Sequence, residues 1–285
     1  MKKALPVVLS LVVLFTSAAP SGEDALRPPG DQPQGVTPQQ AVAMIVEAAE
    51  QGNQVAMLNL GSMYERGIGV PRNYTKAFEW YGKAAATGMP EGFYNLGVCY
   101  EIGMGVAADG TKAFEYFERA ASTGLSQALY KLASLYFAGI GVEKNESWGV
   151  ELLKRAAGSG HQNAANDLGV IFHEGAFGQA RDPNQAFAMF SAAAELGNAG
   201  AMKNLAVLHR EGFSGQAADP AQAMKWYSLA KLAGYPPAAI DPLITELRTG
   251  LGDARAAEID KEVEAWALDF QRRNAEANQN QPAQN

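Results

Sequence analysis

The sequence predicts an all-α protein, a tandem array of five helix-turn-helix repeats closed by a capping helical segment at each end. Three observations carry that prediction. Glycines recur at 52, 88, 124, 160, 197 and 234, at spacings of 36, 36, 36, 37 and 37 residues, a period that belongs to stacks of small supersecondary units. Within the units 53–88, 89–124, 125–160, 161–197 and 198–234, apolar and small residues recur in register at helical spacing. Each unit also carries glycine and Asn or Asp punctuation where one helix must stop and the next begin.

The first element is a lone helix over 37–52, in which Thr37 is an N-cap, Pro38 occupies the first turn and Ala41, Ile45, Ala48 and Ala49 form the packing face. Each repeat then opens with a helix A of about three turns. Its core columns are Ala56, Gly92, Ala128, Ala164, Ala201 and Leu60, Leu96, Leu132, Leu168, Leu205. A small column, Gly61, Gly97, Ala133, Gly169, Ala206, and an aromatic one, Tyr64, Tyr100, Tyr136, Phe172, His209, complete that face. Gly67, Gly103, Gly139, Gly175 and Gly212 end helix A, where a left-handed residue is needed and glycine supplies it at little cost.

Helix B starts at Asn73, Asp109, Asn145, Asp182 and Asp219, short polar side chains that can accept the first free amide protons. Pro183 and Pro220 follow where a missing N–H costs nothing. Helix B continues with alanines and aromatics, as in Ala77, Trp80, Tyr81, Ala84 and Ala85, and ends at the marker glycine. After the fifth repeat, 235–249 reads as a degenerate helix A containing Pro236, Pro237 and Pro242. A long helix from Asp253 through Ile259, Val263, Trp266 and Phe270 then completes a C-terminal cap over 235–273. The tail 274–285 has almost nothing to bury and is expected to be disordered.

These columns, together with the Gly-x-Gly-Val loops, the Lys-Ala and Trp-Tyr pairs and the Ala-Ala that precedes the marker glycine, resemble the Sel1-like repeat (SLR) family, within the tetratricopeptide-repeat superfamily. The resemblance spans 53–234 with about ten recurring columns. It implies a right-handed α/α superhelical solenoid that holds other macromolecules, with the A helices lining its concave side. It also implies, by analogy with relatives in envelope signalling, exopolysaccharide regulation and host interaction, a non-enzymatic scaffold.

The N-terminus has the layout of a bacterial secretion signal. Lys2 and Lys3 precede an apolar run from Ala4 to Phe15, followed by the small residues Thr16 to Ala19. Cleavage is expected after Ala18, because Pro20 obstructs a site after Ala19, which makes 1–18 a signal peptide; an uncleaved anchor is the alternative. Residues 19–36 form a flexible Pro/Gly leader. The expected location is therefore periplasmic or secreted, without stable membrane insertion after cleavage. The formal charge is −7, and loss of two lysines leaves 21 basic against 30 acidic residues, or −9. Nucleic-acid binding is disfavoured on that balance.

Cys99 is the one cysteine, so no internal disulfide forms. It shares a column with Met63, Leu135, Ile171 and Leu208 and reads as a buried small hydrophobe, with a reactive thiol or an intermolecular disulfide as the other reading. Cysteine-rich members of the resembled family are linked to β-lactam binding and hydrolysis, but this chain lacks their cysteine pairs. Ser228-Leu-Ala-Lys231 matches a serine-x-x-lysine pattern and Arg248-Thr249-Gly250 echoes a companion motif. Ser228 lies on helix B of a repeat, in a column with Gly82, Glu118, Lys154 and Ser191 that makes no special demand. The three histidines are not at ligand spacing, so no metal site, cofactor or catalytic residue is expected.

A binding role falls to the A-helix positions offset from the core columns. One such column reads Leu58, Tyr94, Tyr130, Asn166, Lys203 and its neighbour Asn59, Asn95, Lys131, Asp167, Asn204, with Phe137 in the last turn of the third A helix. Carboxamides can donate to and accept from a peptide backbone at once, and tyrosines add amphipathic anchors. The expected ligand is a protein or peptide, with a glycan such as peptidoglycan reaching the same aromatics, or β-lactam binding, as alternatives. The bland alternative is that the same Asn and Tyr residues only pack between repeats. The divergent end helices argue for a monomer.

Overall fold

A computed structural model describes residues 37–279. Among the described residues there are thirteen α-helices and no strand, with one isolated bridge between Phe213 and Gln216. The expected signal peptide 1–18 and leader 19–36 lie outside the described residues. The chain divides into two compact units, with the boundary between Lys144 and Asn145.

The first unit contains α1 (Pro38–Glu50), α2 (Gln54–Arg66), α3 (Tyr74–Ala86), α4 (Pro90–Ile102), α5 (Gly110–Ala121) and α6 (Ser126–Ala138). Each packs on the next in chain order. At α1 the capping box closes fully: Thr37 accepts from the Gln40 amide at 3.2 Å while the Thr37 amide donates to Gln40 Oε1 at 2.8 Å. Such reciprocal caps fix where a helix begins. The core runs from Ala49, Leu60, Trp80 and Ala84 to Ala77, Tyr81, Leu96 and Cys99, and half-buried Leu58 and Tyr64 touch both clusters.

The second unit contains α7 (Glu146–Gly158), α8 (Gln162–Glu174), α9 (Pro183–Glu195), α10 (Ala199–Glu211), α11 (Pro220–Leu232), α12 (Pro237–Leu251) and α13 (Asp253–Gln279). Here too sequential helices pack together, and α13 returns onto α11. Trp266 stacks on Phe270 at 5.1 Å and meets Trp226 edge-on at 6.4 Å, while Ile259 and Val263 are buried. Lys225 donates to Glu262 at 3.0 Å across the same contact. These contacts hold the capping helix to the last repeat.

The punctuation works locally as its chemistry requires. Asn73, Asp109, Asn145, Asp182 and Asp219 each accept a backbone amide in the first turn of their B helix. Gly67, Gly103, Gly139 and Gly175 adopt left-handed helical angles at the ends of the first four A helices. Gly212 departs from that expectation, because its ψ of 152° at φ 76° carries it out of the left-handed helical well into a region that only glycine enters readily. The loop after it is one residue longer than those of the first three repeats, but so is the loop after Gly175, which keeps the left-handed helical angles. The C-terminal boundary also differs from expectation: α13 runs to Gln279 instead of stopping near Arg273. Extending an existing helix through residues such as Ala275, Glu276 and Ala277 costs little once the nucleus is formed.

Candidate functional site

The A helices carry the candidate residues in two sets, on α2, α4 and α6 in the first unit and on α8 and α10 in the second. All eleven, Leu58, Asn59, Tyr94, Asn95, Tyr130, Lys131, Phe137, Asn166, Asp167, Lys203 and Asn204, are half-buried. Each set is therefore partly covered by neighbouring side chains.

In the first unit the packing of these residues differs sharply from column to column. Leu58 is part of the core edge. Tyr94 lies with its ring 5.6 Å from that of Phe117, a fully buried residue of α5, so this tyrosine supports the repeat as well as lining its face. Burial raises the Tyr94 phenol pKa above its ordinary value, and the nearby Glu101 carboxylate raises it further. Lys131 of α6 donates to Glu101 of α4 at 2.7 Å, and its ammonium sits 6.0 Å from the Phe117 ring. That ion pair spans two consecutive A helices. Glu65 of α2 accepts from the Tyr81 hydroxyl at 2.5 Å. Burial, then the Glu65 carboxylate, pushes the Tyr81 phenol far above its usual range.

Asn59 and Asn95 contrast with their neighbours. Their carboxamides have no hydrogen-bond partner among the described residues, although both are half-buried. Each keeps two N–H donors and a carbonyl acceptor for an incoming group. Tyr130 and Phe137 lie half-buried on α6 nearby in sequence.

In the second unit the corresponding amides are used internally. Asn204 donates to Asn166 at 3.0 Å, Asn166 donates to Asp167 at 3.3 Å and Lys203 donates to Asn204 at 3.3 Å. Asn198 also donates to Asn163 at 2.8 Å, so a ladder of carboxamides ties α10 to α8. The packing alternative describes these residues.

Three features were not legible at the sequence level. His161 is the N-cap of α8, its Nδ1 accepting from the Ala164 amide at 3.2 Å, and burial lowers its pKa. The pairing of Glu65 with Tyr81 joins columns 16 residues apart that no spacing rule connects. An open cavity of about 290 Å³ in the second unit is lined in part by His173, Arg181 and Glu211. The 37-residue spacing of the last two repeats was the available signal for that cavity.

The residues weighed for catalysis are placed as follows. Lys231 donates to Asp241 at 2.7 Å, an exposed pair that directs its ammonium to α12. Arg248 donates through Nη2 to both carboxylate oxygens of Asp260, at 2.7 and 2.8 Å. Cys99 is fully buried, and burial, then the Glu65 carboxylate, pushes its thiol up to about 12. A thiol so held is protonated at neutral pH and not a nucleophile. Among the described residues no group of His, Cys, Asp and Glu is arranged to hold a metal ion, and no helix is long and apolar enough to cross a membrane.

Comparison with known proteins assigns the repeats. A family model described as Sel1 repeat matches five times, at residues 54–88, 90–125, 126–161, 162–198 and 199–235. A crystal structure of a Sel1 repeat protein from Oxalobacter formigenes is similar at 32% identity and a TM-score of 0.62, over 69% of this chain and 77% of that one. A protective antigen of uropathogenic Escherichia coli strains, described as displaying an SLR fold, is similar at 29% identity with a TM-score of 0.62. That alignment covers 81% of this chain and half of the antigen. No curated protein matches the sequence.

Proposed function

The chain belongs to the Sel1 repeat family, whose members commonly bind proteins, and on that premise we propose that it is a non-enzymatic, exported scaffold. Its partner is a protein or peptide segment received on the A-helix face of the first three repeats. The observation that carries this reading is the pair of unpartnered, half-buried carboxamides at Asn59 and Asn95. They lie on consecutive A helices, in the same column of the repeat. Both carboxamides still reach water, so they cost the fold little, and an extended backbone, with one donor and one acceptor per residue, would take the place of that water.

Tyr94 and Tyr130 supply apolar area beside those amides, with Glu101 and Lys131 as a charge pair that favours one register. Export rests on the charge and apolar pattern of residues 1–18 and places the scaffold in the periplasm or outside the cell.

Photo-crosslinking in the producing cell tests the reading. A photoreactive residue at position 130 should trap a recurrent protein, and a probe at Glu118, exposed on α5, should not. With the probe at position 130, the double change Asn59→Ala and Asn95→Ala should abolish the adduct while helicity and melting stay unchanged. Equal adducts at 130 and 118, or an adduct indifferent to the two substitutions, would remove the basis for this face. Intact-mass analysis of the exported protein should find residue 19 at its N-terminus, and an unprocessed chain would refute cleavage.

A further inference from the structure

We infer that the second unit contains a small-molecule site for a zwitterionic α-amino acid or dipeptide, separate in origin from the protein-binding face. The site is the open cavity of about 290 Å³ lined by His173, Arg181, Leu208, Glu211, Phe213 and Ser214, with Pro183 and Gly212 completing the wall. Its volume is at the lower end for small-molecule pockets, which limits an enclosed ligand to something of this size.

The chemistry of the wall sets the ligand class. Arg181 is a fixed cation that forms no ion pair among the described residues. A guanidinium in that state is suited to a two-pronged contact with a carboxylate. Glu211 supplies the opposite charge for an ammonium, its one ion pair among the described residues being a 3.5 Å contact to the adjacent Arg210, with both side chains well exposed. His173 adds a third polar group, and its Nδ1 is buried with no hydrogen-bond partner. That atom lies behind the wall, so it is the rest of the half-buried ring that faces the cavity. One cation, one anion and an imidazole around a small volume complement a ligand that carries both charges on a short frame.

The apolar part of the wall is held in place. Phe213 is buried and stacks on Phe187 at 4.9 Å, with His209 edge-on to both rings at 5.8 and 5.7 Å. Phe213 also bridges to Gln216, and Ser214 is held at a φ of 50°, a left-handed angle for a residue with a side chain. The loop is thus fixed around the cavity, as a recognition site needs. Its extra residue, and that of the loop ending at Asp182, coincide with the 37-residue spacing of these two repeats alone.

Titration calorimetry on the full chain tests the site with four probes: L-valine, L-alanyl-L-valine, N-acetyl-L-valine and L-valine amide. At least one of the two zwitterions should bind saturably, and the blocked compounds, each missing one charge, should bind about tenfold more weakly or worse. Arg181→Ala and Glu211→Gln, both at exposed positions, should each weaken the zwitterion by a similar factor, while Lys154→Ala should not. In the chain labelled with nitrogen-15 histidine, the imidazole signals of His173 should move on binding and those of His161 should not. Absence of saturable heat with both zwitterions would overturn the inference. So would undiminished binding of N-acetyl-L-valine, or an affinity unaffected by both substitutions.

Discussion

Gly97→Ala probes the contact that sets how closely α4 approaches α5. A Cβ built at Gly97 lies 2.7 and 2.8 Å from Cδ1 and Cε1 of Phe117, distances no settled carbon pair adopts. Phe117 has little room to retreat, being fully buried and flanked by Tyr94. Alanine gains about 1 kcal/mol over glycine in helix propensity. Forcing a methyl into a packed core costs about 1–3 kcal/mol. The closeness of the ring places the cost in the upper part of that range, so a net loss of about 1–2 kcal/mol is expected. In a protein of this size, that lowers Tm by roughly 2–8 °C.

The fifth repeat carries Ala206 and Tyr227 in the same two columns, so a relaxed arrangement exists and the fold survives the change. The decisive comparison is a double-mutant cycle with Phe117→Leu, followed by urea unfolding at constant m. Leucine removes Cε1 and replaces the rigid ring with methyls that can rotate away, so the two changes should be non-additive by about 1 kcal/mol or more. If Gly97→Ala instead stabilises by its full propensity gain and adds independently to Phe117→Leu, the ring does not set the small column, and the reasoning fails.

Two further outcomes follow from buried titratable groups. The Cys99 thiol, pushed up to about 12 by burial and Glu65, should resist a disulfide reagent at pH 8 in the native chain and react fully in urea; rapid native labelling would contradict its placement. Burial holds the His161 and His209 pKa values below the ordinary 6.5, outweighing the opposing carboxylates of Asp167 and Asp219. The unfolded chain therefore binds more protons below pH 6.5, so their contribution is complete above that value and is lost as pH falls toward the folded pKa values. Thermal melting from pH 7.5 to pH 5 should show a declining Tm, and His161→Asn, which keeps a capping oxygen but cannot titrate, should make the decline smaller.

What the sequence made legible was chemistry that acts within a few residues. The N-cap column from Asn73 to Asp219, the Thr37 capping box and the terminal glycines of α2, α4, α6 and α8 are all local solutions to unmet backbone groups, and each is recognisable from residue type and position. Gly212 shows where this stops: the loop after it has the same extra residue as the loop after Gly175, yet only Gly212 leaves the left-handed helical well, so loop length does not report the conformation. The end of α13 lies at Gln279, beyond the stop expected near Arg273, because composition alone does not report a helix extended from a packed start. The candidate faces were harder still. A period of 36 or 37 residues says which side chains share a face, but not which are consumed by a neighbour. Asn204 meets Asn166 across 38 residues, and Lys131 meets Glu101 across 30.

That distinction separates binding from stability among residues of one column. Asn204 already has its partner, so Asn204→Ala breaks an inter-helix hydrogen bond and leaves Asn166 short of a donor, at a cost of about 0.5–1.5 kcal/mol. A ligand reaching Asn204 would first have to break the same bond, which cancels most of what it gains. Asn95 has no such bond to lose. Asn95→Ala should therefore leave urea unfolding within experimental error of the parent while weakening partner capture, and Asn204→Ala should lower stability and leave capture intact. Should Asn95→Ala instead unfold the chain as readily as Asn204→Ala, the carboxamides of α2 and α4 would be structural like those of α8 and α10. The protein-binding face would then have to be sought elsewhere on the repeats.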